Sequence, residues 1–165
     1  MPATSSTLGL ADLALVWDET LGSADLVMID SDLASDPGLE TAVLLSLFTD
    51  ARAANDDVPP SGDPTDRRGW WADQFSTVEG DKIGSRRWLL DRSKFTNETA
   101  IVLKEYDTEA LQWMIDDGVA SSVDITTALA TVRGSPRINE TIVINRPHGS
   151  PLTFRFAHVW DSIAA

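Results

Sequence analysis

The chain has 165 residues, 42% of them hydrophobic and 24% charged, which suits one soluble globular domain long enough to bury a core. Twenty-six Asp and Glu against 13 Lys and Arg leave a net charge of −13, a field that repels phosphate backbones and draws the chain toward basic protein surfaces. A halophilic source is another reading of that charge, while the lack of cysteine excludes disulfides, thiol nucleophiles, zinc–thiolate sites and iron–sulfur clusters.

Residues 1–11 read as a flexible tail, without the charged-then-apolar order of a signal peptide. No apolar run approaches the roughly 18 residues of a membrane span, so synthesis and folding in a cytoplasm are expected. Residues 12–17 and 26–30 are short apolar runs with a turn at Gly22-Ser23, the pattern of a two-stranded hairpin. Asp36-Pro37 offers an N-cap and a first-turn proline, and Leu39, Val43, Leu44, Leu47 and Phe48 continue a helix to about Thr49. Residues 50–66, rich in Asp, Pro and Gly, form a surface loop. A short helix is expected over residues 85–91, and a longer one from Asn97 to a left-handed cap at Gly118. On the longer helix Ala100, Leu103, Asp107, Ala110, Leu111 and Met114 share one stripe. Asp116 and Asp117 stand where the helix dipole disfavours negative charge, so either water or arginines must meet them. Beyond Gly118 the period becomes two: Val123, Ile125 and Leu129, then Ile138, Ile142 and Ile144, then Leu152, Phe154, Phe156 and Trp160. The turn Pro147-His148-Gly149-Ser150-Pro151 separates the last two runs. The order implies an α+β fold: an antiparallel sheet, from the N-terminal hairpin and three C-terminal strands, with two to three helices on one face. Residues 12–165 form a single domain on this reading.

The residues offer little for catalysis. His148 and His158 match no metal-binding spacing. Asp56, Asp57, Asp63 and Asp66 lack the alternation and closing Glu of a calcium loop and read as solvated. There is no Gly-x-Ser-x-Gly elbow and no glycine-rich phosphate loop. A glycosidase needs only two carboxylates across a cleft, a condition too permissive to select among 26. The expectation is a chain with no cofactor, no metal and no catalytic residues.

What stands out is Asp66-Arg67-Arg68-Gly69-Trp70-Trp71, followed by Lys82-Ile83-Gly84-Ser85-Arg86-Arg87-Trp88. Seven of the 13 basic residues lie between Arg67 and Lys94. In one reading Trp70, Trp71 and Trp88 fill the core and Arg67 and Arg68 pair with the chain's own carboxylates. In the other, Arg67, Arg68, Arg86 and Arg87, with Trp70 and Trp71, bind a partner protein or fix the loop that does. The two readings combine if the tryptophans are scaffold and the arginines face outward. Single-stranded nucleic acid stacking on the tryptophans is opposed by the net charge.

These blocks, with residues 12–17, 39–50, 83–90 and 109–120 in the same order, carry a resemblance over most of the chain. The chain resembles the small baseplate protein family of Mu-like contractile-tailed phages and prophages, itself similar to the small wedge proteins of contractile injection machines. The resemblance implies a structural subunit of the virion, in six copies around the tail hub and near the central spike. It implies contacts with the larger wedge subunits and with the first ring of the sheath, for which an open sheet edge is suited. Some relatives carry a lysozyme-like label, and a carboxylate-dependent cell-wall hydrolase is the alternative, with a regulatory binding module on the same fold as a third reading. The Glu-Pro-Arg tripeptide of other wedge proteins is absent here, leaving Arg67, Arg68, Arg86 and Arg87 as candidates for its role.

Overall fold

The computed structural model describes residues 39–77, 82–147 and 149–159, together with short strands between residues 12 and 36. The expected tail, the turn at Gly22, and Pro37, His148 and Trp160 lie outside the described residues. The chain forms two compact units, Met1–Leu45 and Ser46–Ala165.

In the first unit, six short strands among the described residues make three antiparallel pairs: β1 (Asp12–Leu13), β2 (Leu15–Asp18), β3 (Ser23–Leu26), β4 (Met28–Ile29), β5 (Asp32–Leu33) and β6 (Ser35–Asp36). β2 pairs with β3 from Leu15↔Leu26 to Asp18↔Ser23, the hairpin read from the apolar runs. β4 pairs with β5, and β1 with β6, so the hairpin belongs to a larger nested arrangement. Asp36 is not the expected helix cap. It ends β6, opposite Asp12, and α1 spans Glu40–Phe48. Leu39 has φ +68, outside helical space, so the helix starts only after it.

The second unit holds the C-terminal sheet, in the order β7–β8–β9: β7 (Ser122–Val132), β8 (Ser135–Asn145) and β9 (Leu152–Val159), all antiparallel. Arg133 (φ +53) and Gly134 (φ +86) make a two-residue turn with both central residues left-handed, the geometry that matches strand twist. Alternation puts Ile125, Ile138, Ile142 and Ile144 inside, while Asp124, Thr126, Asn139 and Arg155 face water. Among the described residues β7 and β9 each pair with β8 alone, so both outer edges lack a strand.

Against the inner face lies α2 (Asn97–Leu111), capped by Thr96 Oγ1, which accepts the Thr99 N–H at 3.3 Å. Leu103, Ala100, Leu90 and Ile138 form one buried cluster, flanked by Phe95, Val102 and Tyr106. A break at Gln112 separates α2 from α3 (Trp113–Asp116), and Gly118 takes the expected left-handed conformation at φ +71. Asp116 and Asp117 are exposed, and Gln112 rather than an arginine donates to Asp116, at 2.9 Å. The fold is α+β, and among the described residues no helix is long and apolar enough to cross a membrane.

Candidate interaction site

Both basic–aromatic blocks close on one extended segment, residues 49–53. On one side the Ser85 N–H donates to the Thr49 carbonyl at 2.9 Å and the Ala51 N–H donates to the Ser85 carbonyl at 3.1 Å. On the other side the Ala53 N–H donates to the Arg67 carbonyl at 2.9 Å. Each block contributes a glycine at the point of closest approach. Gly84 has φ +107 against Thr49, and Gly69 has φ +103 with its α-carbon against Arg52. The short 3₁₀ helix Arg86–Leu90, in the region expected to be helical, starts at Ser85, whose Oγ accepts the Arg87 N–H at 3.2 Å. Its Trp88 is 3% exposed and donates from Nε1 to the Ala51 carbonyl at 2.8 Å, which anchors the segment from below.

All four motif arginines bind the chain itself. Arg67 donates to the Ala54 carbonyl at 2.6 Å and to Asn55 Oδ1 at 3.0 Å. Arg68 (φ +43) pairs with Asp50 at 2.8 Å and lies over the Trp88 ring. Arg86 bridges Asp57 at 3.0 Å and Glu109 at 2.6 Å and stacks on Tyr106. Burial opposes its charge, but the hydrogen bonds to Glu109 and Asp57 outweigh that and hold its pKa above the usual arginine value. Asp57 is therefore not a solvated loop carboxylate: it accepts Arg86 and the Ala54 N–H at 2.7 Å.

Arg87 lies deepest. From Nη2 it donates to Asp107 Oδ2 at 3.1 Å and Glu140 Oε2 at 2.8 Å, and its guanidinium lies over Phe48. Asp107 and Glu140 are 0% and 1% exposed, on the inward stripes of α2 and β8, so this carboxylate pair faces no cleft. Burial above all pushes the Asp107 pKa up, to about 8, with Arg87 pulling it down and Glu140 pushing it up. Neither carboxylate is among the expected site residues. The signal for both is present in the sequence: a charged residue at an inward position of each apolar pattern.

The tryptophans of the first block do the opposite of what their average burial suggests. Trp70 is 42% exposed, Trp71 70% and Phe75 68%. They touch each other at the surface, with ring centroids 5.9 Å and 6.1 Å apart along the series, on the 3₁₀ turn Trp71–Phe75. The burial expected for the first-block tryptophans is thus corrected: Trp88 is core, Trp70 and Trp71 face outward, and the four arginines are held by the chain's own groups. The physical reason is supply. With carboxylates in twofold excess, Arg68, Arg86 and Arg87 each find an internal carboxylate partner.

A family described as phage protein GP46 matches residues 39–151, which contain every one of these contacts. The chain belongs to this Mu-like phage baseplate family. It is 34% identical over 154 residues to the "Baseplate protein gp46" of Escherichia phage Mu, spanning 93% of this chain and 100% of that one. It is 38% identical over 155 residues to the "Mu-like prophage FluMu protein gp46" of Haemophilus influenzae, spanning 92% and 99%. A GP46 protein thus builds its most distinctive sequence blocks into a brace around residues 49–53 and leaves a pair of tryptophans outside it.

Proposed function

We propose that this GP46 protein is a non-enzymatic wedge subunit of a contractile-tail baseplate, docking on the larger wedge subunits through Trp70 and Trp71. Its family makes it a structural component of the phage tail baseplate. The observation that carries the docking surface is the exposure of Trp70 and Trp71 on a chain segment held rigid by Arg67, Arg68 and Gly69. Aromatic anchors on a preorganised surface bind with little ordering cost, which suits a permanent assembly. Arg67, Arg68, Arg86 and Arg87 serve the interface by fixing its geometry. The edges of β7 and β9, which carry no further strand among the described residues, are suited to receive a strand from the first sheath ring, with the net charge suppressing self-pairing before assembly. Six copies around the hub follow from the wedge role.

The direct test is Trp70→Ala/Trp71→Ala in a phage or inducible prophage encoding this chain. The purified variant keeps its circular dichroism and melting temperature, because both side chains are exposed, while lysates lack particles with complete baseplates by electron microscopy. Normal numbers of infectious particles from the variant defeat the reading.

A further inference from the structure

α2 buries Ala100, Leu103, Asp107 and Leu111 in the core, yet Ile101 on its outer face is 56% exposed. Two rows of exposed side chains, each at four-residue spacing, run along that face: Ile101, Glu105 and Glu109, and beside them Lys104, Thr108 and Gln112. These six residues line a shallow groove of about 590 Å³. Rows of this spacing are the ridges between which the side chains of a second helix pack. The groove is apolar because its polar groups turn away. Thr108 donates from Oγ1 to the Lys104 carbonyl at 2.7 Å, so its methyl group, not its hydroxyl, is what the groove receives. Gln112 sends its amide along the helix to Asp116 at 2.9 Å. Charge is unevenly spread. Glu105 has no ion pair among the described residues, and the Arg86 guanidinium that meets Glu109 at 2.6 Å is shared with Asp57 at 3.0 Å. Asp116 and Asp117 follow at the end of α3, exposed and without an ion pair among the described residues. Lys104 is the one cation of the six, and Arg52 and Lys82 line the next cleft, which the groove meets at Glu109 and Gln112.

We propose that this groove takes an amphipathic helix of another baseplate protein, its apolar ridge on Ile101 and Thr108 and its Lys or Arg side chains along Glu105 and Glu109. The spacing of the two rows selects a helix. Charge selects a basic one, because the local carboxylates and the net charge of −13 attract the same partner. That field opposes a nucleic acid, an acidic segment and a second copy of this chain alike. Lys104 makes the two sides of the groove unlike, so the basic flank of the incoming helix is directed to the Glu105 row. The inference rests on the wedge reading for the identity of the partner. It goes beyond that reading in adding a second docking surface, distinct in residues from Trp70 and Trp71, and in naming the chemistry it reads.

The test uses the full-length labelled protein on an array of overlapping peptides, each long enough for a helix of several turns, tiled across the tail proteins of the phage genome that encodes it. Expected is retention on peptides with apolar residues at helical spacing and Lys or Arg along one flank. That retention falls at least tenfold in Ile101→Ser and in Glu105→Lys, each with unchanged circular dichroism because both side chains are exposed. It returns in Glu105→Lys when the basic flank of the retained peptide is replaced by Glu. Binding within twofold of wild type in either variant overturns the proposal. So does equal retention of scrambled peptides of the same composition, retention only on acidic or neutral peptides, equal binding to an oligothymidine, or the absence of any retained peptide. Concentration-dependent dimerisation lost in the same variants assigns the groove to a second copy and equally overturns it. The array does not depend on particle formation, so a failed groove and a failed wedge role are told apart: the first leaves the Trp70→Ala/Trp71→Ala assembly defect standing, the second removes it.

Discussion

Gly84 lies so close to Thr49 that a Cβ at position 84 would fall on the Thr49 carbonyl oxygen. The same carbonyl accepts the Ser85 N–H, so the contact cannot open without losing the hydrogen bonds between residues 49–51 and Ser85. The φ of +107 at Gly84 is itself outside the range of residues with side chains.

Gly84→Ala is therefore expected to destabilise the Ser46–Ala165 unit by roughly 3 kcal/mol or more, from clash and backbone strain together. Gly62→Ala is the control. Its φ is +76 and no atom lies within 4 Å of an added Cβ, so only a backbone penalty of about 1 kcal/mol applies. Urea denaturation of the two variants checks the difference, and equal losses would show that the close approach to Thr49 carries no weight.

Tryptophans separate in the same way. Trp88→Phe removes the Nε1–H bond to the Ala51 carbonyl in a buried site, at an expected cost of about 1–3 kcal/mol. Trp71→Ala, at a side chain 70% exposed, is expected to stay within about 0.5 kcal/mol of wild type. Thermal melts of both variants at one pH test this, and a large loss in Trp71→Ala would mean that its ring supports the fold rather than a partner.

Why the strands and the long helix are legible, and the arginine roles are not, follows from where the information lies. Periodicity is local, so Ile138, Ile142 and Ile144 declare an inward face and Leu103, Leu111 and Met114 a helical stripe from sequence alone. Ion pairing is not local. Arg68 reaches Asp50, 18 positions away, and Arg87 reaches Glu140, 53 away, and nothing in the spacing of either pair marks it. The 3₁₀ turn at Trp71 and the strand at Asp36 are likewise hidden, the first lacking an apolar period and the second resembling a helix cap. Two inward charges are visible, Asp107 on its stripe and Glu140 between isoleucines. Burial of two acids demands a cation or a retained proton, but which of the 13 cations answers it is not written in the local pattern.

That cation can be tested directly. Arg87→Met leaves Asp107 and Glu140 buried without a counter-charge, and removal of one partner from such a site costs about 3–5 kcal/mol. The triple variant Arg87→Met/Asp107→Asn/Glu140→Gln is expected to recover a good part of the loss, because no unpaired ion remains. Chemical denaturation of the two variants and wild type checks the order. A single variant as stable as wild type would mean that the buried acids need no cation.

The last consequence is a pH dependence with a definite sign. The folded state holds a proton on Asp107 up to about pH 8, whereas the unfolded chain releases it near the ordinary Asp value of about 4. Between these values the folded form binds more protons than the unfolded one, so this group's contribution is present at low pH and is lost as pH rises toward 8. The slope is at most about 1.4 kcal/mol per pH unit, and it vanishes above pH 8, where both states are ionised. The other titrating groups are common to both proteins, so the quantity to follow is the difference between wild type and Asp107→Asn. The amide keeps the shape and a hydrogen-bond acceptor for Arg87 but carries no titrating proton. Unfolding free energies from urea titrations between pH 5 and pH 8.5 are expected to fall with pH more steeply in wild type than in the variant, with parallel curves above pH 8. Parallel curves throughout would mean that Asp107 is ionised in the fold and that Arg87 alone balances both acids.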